Sequence, residues 1–331
     1  MAITLLLALV LPMQTPTHVG QVERLDPAIS KLIPKDAKVE RLATGFDWSE
    51  GPVWVKEGGY LLFSDVPRNV VHRWKEGEGV TDWLIPSGYI GKTPRGGEMG
   101  SNGLTIDADR RLVLCQHGDR RVARLDAPLD KPEPRFVTLA DNYEGKKFNS
   151  PNDLVFSSSG VLYFTDPPYG LVKQWDDPAR ELEFSGVYHV EPNGEIELIT
   201  DKMTRPNGLA LSPDERTLYV ANSDEKAPVW LAFELDDEGR AISERVFFDA
   251  SELAKKKPGM PDGLKIDQQG NLFATGPGGV LVFRPDGKHL GTISSGDKIS
   301  NCAFGDDGQT LYMTCDDHLC RIKLTTRGTG F

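Results

Sequence analysis

Two short apolar runs joined by a tight polar turn recur six times along this chain. The first run of each pair follows Gly51-Pro52-Val53-Trp54, Asn102-Gly103-Leu104, Asn152-Asp153-Leu154, Asn207-Gly208-Leu209, Asp262-Gly263-Leu264 and Asn301-Cys302-Ala303. The second runs are Tyr60-Leu61-Leu62-Phe63, Leu112-Val113-Leu114, Leu162-Tyr163-Phe164, Leu218-Tyr219-Val220, Leu272-Phe273-Ala274 and Leu311-Tyr312-Met313. Turn residues such as Glu57-Gly58-Gly59, Ser159-Gly160 and Asp307-Gly308 lie between them, so each pair reads as a β-hairpin. A third apolar run follows in every unit (70–74, 121–125, 187–190, 230–235, 280–283, 319–323). A fourth follows in all but the last (80–84, 135–138, 196–199, 245–248, 289–293). The strand the last unit wants is available at the other end of the chain, as Val39-Glu40-Arg41-Leu42. A ring of four-stranded sheets closed by its N-terminal strand uses every run and leaves no bare edge. The prediction is an all-β six-bladed β-propeller over residues 39–331.

Ahead of the repeats, residues 2–13 (AITLLLALVLPM) are apolar, too short to span a bilayer, and of signal-peptide length. No Lys or Arg precedes them and no small-x-small cleavage site follows. We expect 1–20 to be a signal peptide and 21–38 an N-terminal extension, with export to the periplasm or beyond; without a signal the chain would stay cytoplasmic. No other segment approaches membrane-spanning length. The 331 residues carry 38 basic and 49 acidic side chains, a net charge of −11 that argues against a nucleic-acid partner. Lys255-Lys256-Lys257 is a short solvated run. Gly91-Lys92-Thr93 imitates the end of a phosphate loop but has Pro86 where the first Gly belongs. The four cysteines are too few for a disulfide scaffold, and no C-x-x-C pair suggests zinc. Buried free thiols are expected, although Cys302 and Cys315 flank one hairpin and leave a pairing open.

Propeller geometry turns the repeats into a site. The first strand of each blade lines the central channel, so Glu50, Asn102, Asn152, Asn207, Asp262 and Asn301 fall around one mouth. His117, Asp166, Tyr169 and Asn222 follow second strands and belong to the same face, further out. Carboxylate and amide oxygens without His or Cys suit a hard divalent cation. Asn-Gly and Asp-Gly are also ordinary turn dipeptides, which leaves a purely structural role open at any one of them. Glu50, a poor turn residue, carries a second charge to the mouth. Loop 86–101, with Glu98 and Ser101, is expected to cover the mouth and to set specificity. No G-x-S-x-G or H-E-x-x-H motif offers a serine hydrolase or a zinc protease.

Ser49-Glu50-Gly51-Pro52-Val53-Trp54, Ser150-Pro151-Asn152-Asp153-Leu154, Arg205-Pro206-Asn207-Gly208-Leu209 and Met260-Pro261-Asp262-Gly263-Leu264 resemble the motifs of the gluconolactonase / senescence-marker-protein (regucalcin) family. Phe164-Thr165-Asp166-Pro167-Pro168-Tyr169-Gly170 and the segment around His117 resemble its bacterial gluconolactonase branch. The resemblance spans residues 39–323. It implies one divalent metal ion on Glu50, Asn152, Asn207 and Asp262, with Ca²⁺ first and Mg²⁺, Mn²⁺ or Zn²⁺ as alternatives. It also implies that Asp262 is the base or nucleophile. Asn102, His117, Glu98 and Tyr169 become candidates for substrate contact. Ser150 stands where animal members carry Arg, so the substrate does not transfer with the motif. The expected activity is metal-dependent hydrolysis of a carboxylic ester, an aldonolactone such as D-glucono-1,5-lactone, by a monomer or weak homodimer. The alternatives are a diisopropyl-fluorophosphatase-like or other ester hydrolase at the same site, and a non-catalytic propeller whose metal only stabilises it.

Overall fold

The computed structural model describes residues 17–331. The apolar run 2–13, read as a secretory signal, lies outside the described residues. Six sheets of four or five strands are arranged as six blades, each running outward from its first strand. The innermost strands are Ser49–Val55, Ser101–Ile106, Leu154–Phe156, Pro206–Leu211, Leu264–Ile266 and Asn301–Gly305. Each touches the next, and the sixth touches the first, so the ring is closed. Among the described residues no helix is long and apolar enough to cross a membrane.

The continuous apolar runs have a simple cause. Each blade packs one face on the blade before it and the other on the blade after, so both sides of its second strand are out of water. Tyr60–Asp65, Leu112–Gln116 and Leu162–Asp166 are buried at every position. The hydrophobic core is accordingly split into six layers, one at each blade junction. Leu62 and Val71 of blade 1 meet Leu104 and Leu114 of blade 2, and Phe63 and Trp74 of blade 1 meet Tyr312 and Leu319 of blade 6. The channel is thereby left to the polar ends of the innermost strands.

Closure occurs as the sequence suggested. Strand β3 (Val39–Thr44) pairs antiparallel with His318–Lys323 as the fourth strand of blade 6. Two further strands were not anticipated. Strand β1 (Thr17–Val19) adds to β3 in blade 6, and β2 (Gln21–Arg24) adds to His289–Ser294 in blade 5. Between them Gly20, at φ +62°, passes so close to the Ser294 backbone that no side chain fits. A 3-10 turn at Pro27–Lys31, capped by the Asp26 carboxylate on the Ala28 N–H at 2.8 Å, then inserts Ile29 and Ile33 into the core between blades 5 and 6. All four cysteines are free and buried. Cys302 lies across from Met313 and Cys315 across from His318, so the two thiols do not face each other.

Candidate active site

At the channel mouth the innermost strands do not run straight. Register shifts interrupt their pairing between Glu50 and Val53, between Ser101 and Leu104, and between Pro206 and Leu209. Such bulges re-aim side chains, and here they fall at Glu50, Asn102 and Asn207. The Asn-Gly dipeptides are thus bulges and not hairpin turns. The glycines serve close approach of neighbouring blades. A Cβ on Gly51 would lie 2.0 Å from the Asn102 carbonyl oxygen, and one on Gly208 would lie 2.4 Å from that of Asp262.

Hydroxyls of the second strands lock this spacing. Ser64 donates to the Asn102 carbonyl, Thr165 to the Asn207 carbonyl and Thr275 to the Ser300 carbonyl, each at 2.8 Å. Ser300 donates onward to the Ser49 carbonyl at 2.7 Å. A second set of clasps stands further out. Asp65 accepts from the N–H groups of Asp47 and Trp48 at 3.1 and 3.3 Å, and Asp166 from those of Asn149 and Ser150 at 2.8 and 2.7 Å. Asn222 holds Arg205 in the same way at 3.0 Å. Asp166 and Asn222 therefore anchor the loops that deliver Asn152 and Asn207.

The result is a pocket of about 270 Å³ whose wall includes Glu50, Asn102, Asn152, Asn207, Asp262, Glu98 and Tyr169. Seven of the eight residues expected at the site come together there. Asn152 Oδ1 and Asp262 Oδ1 are shut off from water and have no hydrogen-bond partner. Burial pushes the Glu50 carboxyl up to about 8, with the Asp153 and Glu98 charges adding to the rise. Asp262 is pushed well above the usual carboxylate range by burial, then by Glu50 and Asp153. Two partnerless oxygens beside two crowded carboxylates form a donor set suited to a hard cation, since the ion supplies the partner the oxygens lack and the charge the acids need. Burial likewise raises the Tyr169 phenol to about 12, so it stays a neutral hydroxyl, with the Arg205 guanidinium 5.6 Å from its ring centre.

The eighth residue, His117, corrects the expectation of substrate contact. It is fully buried and absent from the pocket wall, because loop 167–170 seals over it. A Cβ on Gly170 would lie 2.6 Å from the His117 Cβ. Its Nδ1 sits 3.4 Å from Glu98 Oε2, so it backs the carboxylate that does line the pocket. Ser150 is also structural. It donates to the Pro167 carbonyl at 2.6 Å and accepts the Gly170 N–H at 2.8 Å, which fixes the loop carrying Tyr169.

Asp153 was missed from the sequence. It is a third buried carboxylate just below the mouth, raised by burial against the opposing pull of Lys265 and Asn301. Asn301 Nδ2 lies 3.3 Å from Asp153 Oδ2, which makes Asn301 a brace beneath the pocket and not a wall residue. A signal was present: Asn152-Asp153 carries Asp where Asn102, Asn207 and Asp262 are followed by Gly. Trp48, Ser223, Glu225, Lys298 and Ile299 also stand on the wall and carried no motif.

Residues 48–316 match the family described as the SMP-30/Gluconolactonase/LRE-like region. A gluconolactonase of Zymomonas mobilis is 42% identical over 316 residues, covering 94% of this chain and 88% of its own. A pentonolactonase of Haloferax volcanii is 25% identical over 80% of each chain. The solved structure of a Xanthomonas campestris protein described as a gluconolactonase superposes with a TM-score of 0.80 at 32% identity, covering 95% of this chain and 99% of that one. A ring of six blades with this motif order, matched along most of its length, belongs to the SMP-30/gluconolactonase/LRE-like family.

Proposed function

We propose that the protein is a metal-dependent lactonase, a carboxylic ester hydrolase that opens an aldonolactone of the D-glucono-1,5-lactone type to its acid. The observation that carries the reading is the pair of buried, partnerless oxygens, Asn152 Oδ1 and Asp262 Oδ1, in one small pocket with Glu50 and Asn207. The similarity to proteins named gluconolactonase and pentonolactonase supports the same class. Glu50, Asn152, Asn207 and Asp262 would hold one divalent ion, Ca²⁺ by donor type. Such an ion supplies a Lewis acid that polarises the ester carbonyl and offsets the charge of the tetrahedral oxyanion. The pocket lies below the roughly 300 Å³ at which drug-sized ligand sites begin, which suits a single sugar ring.

The chain's own groups account for the remaining work. Asp262 accepts the proton of the attacking water as that oxygen bonds to the carbonyl carbon. The ring C–O bond then breaks and the leaving oxygen takes up the proton that Asp262 accepted. Glu98, with the His117 Nδ1 3.4 Å behind it, and the Tyr169 hydroxyl stand on the wall where sugar hydroxyls would sit. Asn102 offers an amide on the same rim.

The test is pH-stat hydrolysis of D-glucono-1,5-lactone after chelation and again with Ca²⁺, Mg²⁺, Mn²⁺ or Zn²⁺ restored, the spontaneous opening being subtracted. Metal-restored turnover is expected, and Asp262→Asn should keep the ion while losing turnover. A protein that binds the ion yet opens no lactone would be a different ester hydrolase or a binding propeller.

A further inference from the structure

A second constellation stands apart from the pocket, on the hairpin of blade 6. Cys315 is paired with His318 across the turn, and Cys320 with Met313 two residues along, so the three side chains share one face. One sulfur from each cysteine and one ring nitrogen of His318 all lie within 4.8 Å of one another. All three residues are buried, with Cys315 and Cys320 at 0% exposure and His318 at 2%. Each ring nitrogen of His318 also has a carboxylate beside it. Asp317 Oδ1 lies 2.9 Å from Nδ1 and Asp297 Oδ2 lies 4.0 Å from Nε2. Both aspartates are exposed at the surface beside the buried cluster. None of these residues lines the channel pocket.

From this arrangement we infer that Cys315, His318 and Cys320 form a second metal site, one that takes a zinc-class cation. Two thiolates balance the charge of a divalent ion, so the complex is neutral and suited to burial. Two sulfurs and an imidazole select a soft or borderline metal over Ca²⁺, whereas the mouth offers only oxygens and selects the reverse. With Nδ1 held by Asp317 at 2.9 Å, Nε2 is the nitrogen left for the metal, and a carboxylate on the other nitrogen is the arrangement that fixes tautomer and ring orientation at zinc-histidine sites. The fourth position would be left to water or to the Asp297 carboxylate, which lies on the Nε2 side of the ring. The site would brace the rim of the channel. Ser49, next to Glu50, donates its hydroxyl to the Asp316 carbonyl at 2.8 Å on the same turn. The spacing Cys-x-x-His-x-Cys escapes a search for C-x-x-C because the hairpin register, not the interval, brings the donors together.

Cobalt(II) titration of the reduced full-length protein tests the assignment, because thiolate ligation gives a sulfur-to-cobalt charge-transfer band that oxygen ligation at the mouth does not. A band saturating at one equivalent, displaced by zinc and retained in Glu50→Gln, is expected. It should vanish in the Cys315→Ser/Cys320→Ser variant, and Asp317→Asn should weaken binding about tenfold. If the double variant does not fold by circular dichroism, a fall of about tenfold or more in cobalt affinity in His318→Gln carries the same weight. A folded, reduced wild-type protein without the band, a band that survives in the folded double variant, or unchanged cobalt affinity in His318→Gln overturns the site.

Discussion

The spacing between Asn207 and Asp262 is set by a missing methyl group, and adding that group measures how much the spacing matters. In Gly208→Ala the new Cβ would meet the Asp262 carbonyl oxygen at 2.4 Å and the Gly263 Cα at 2.5 Å, both backbone atoms of the next blade. No rotamer change relieves backbone against backbone, so blades 4 and 5 must part by about 1 Å at the mouth to restore ordinary contact. Overpacking of this kind costs about 1–3 kcal/mol, which a ring with six blade junctions survives. A reacting group misplaced by about 1 Å loses roughly 100-fold in rate, or ~2.7 kcal/mol of barrier. Activity should therefore fall far more than stability does. The assay is kcat/KM for lactone opening with the restoring metal saturating, beside urea unfolding of the same preparation. A folded Gly208→Ala protein with nearly undiminished kcat/KM would refute the claim that the register of these two blades positions the reacting groups.

Other perturbations separate the roles assigned above. Glu50→Gln removes an anionic donor and should weaken divalent binding in calorimetric titration by more than the ~10–100-fold that loss of a supporting partner costs; unchanged affinity would take Glu50 out of the ligand set. Burial alone would raise Asp65, but His72, the N–H groups of Asp47 and Trp48, and Arg68 outweigh it and hold its carboxyl low. Its stabilisation is therefore complete above the unfolded value of about 3.9 and fades as pH falls through the lower folded value. Asp65→Asn should cost ~1–3 kcal/mol at neutral pH and flatten the acid limb of a urea-unfolding series; an unaltered acid limb would deny Asp65 this role. Ile29→Ala, at a fully buried core position, should cost about 2–5 kcal/mol in the same assay while leaving lactone turnover per folded molecule unchanged. A negligible loss would mean the N-terminal segment packs only loosely.

The blades were legible because burial on both faces writes each second strand as an unbroken apolar run, and polar turn residues punctuate those runs. The mouth was legible because a propeller contributes one innermost strand per blade, so a motif once per repeat lands in one ring. What escaped depended on contacts far along the chain. Thr17–Val19 and Gln21–Arg24 are short and mostly polar, exposed or half-buried, and only their pairing partners make them strands. His117 looked available at a strand end until loop 167–170 closed over it. Asn102-Gly103 and Asn207-Gly208 read as turns because the neighbouring backbone that demands glycine belongs to another blade.

The pairing of Glu40 with Arg321 also orders events in time. A chain made from its N-terminus must carry one edge of strand 39–44 unmatched until residues 318–323 have emerged, almost the whole length later. Loop closure over that span comes late and slowly. Blades 5 and 6 take up these N-terminal strands directly and blades 1 and 4 pack against them, while the donors at the mouth come from blades 1, 3, 4 and 5. A half-made molecule therefore exposes scattered acids and amides but no assembled pocket, and chemistry begins only once the circle has shut.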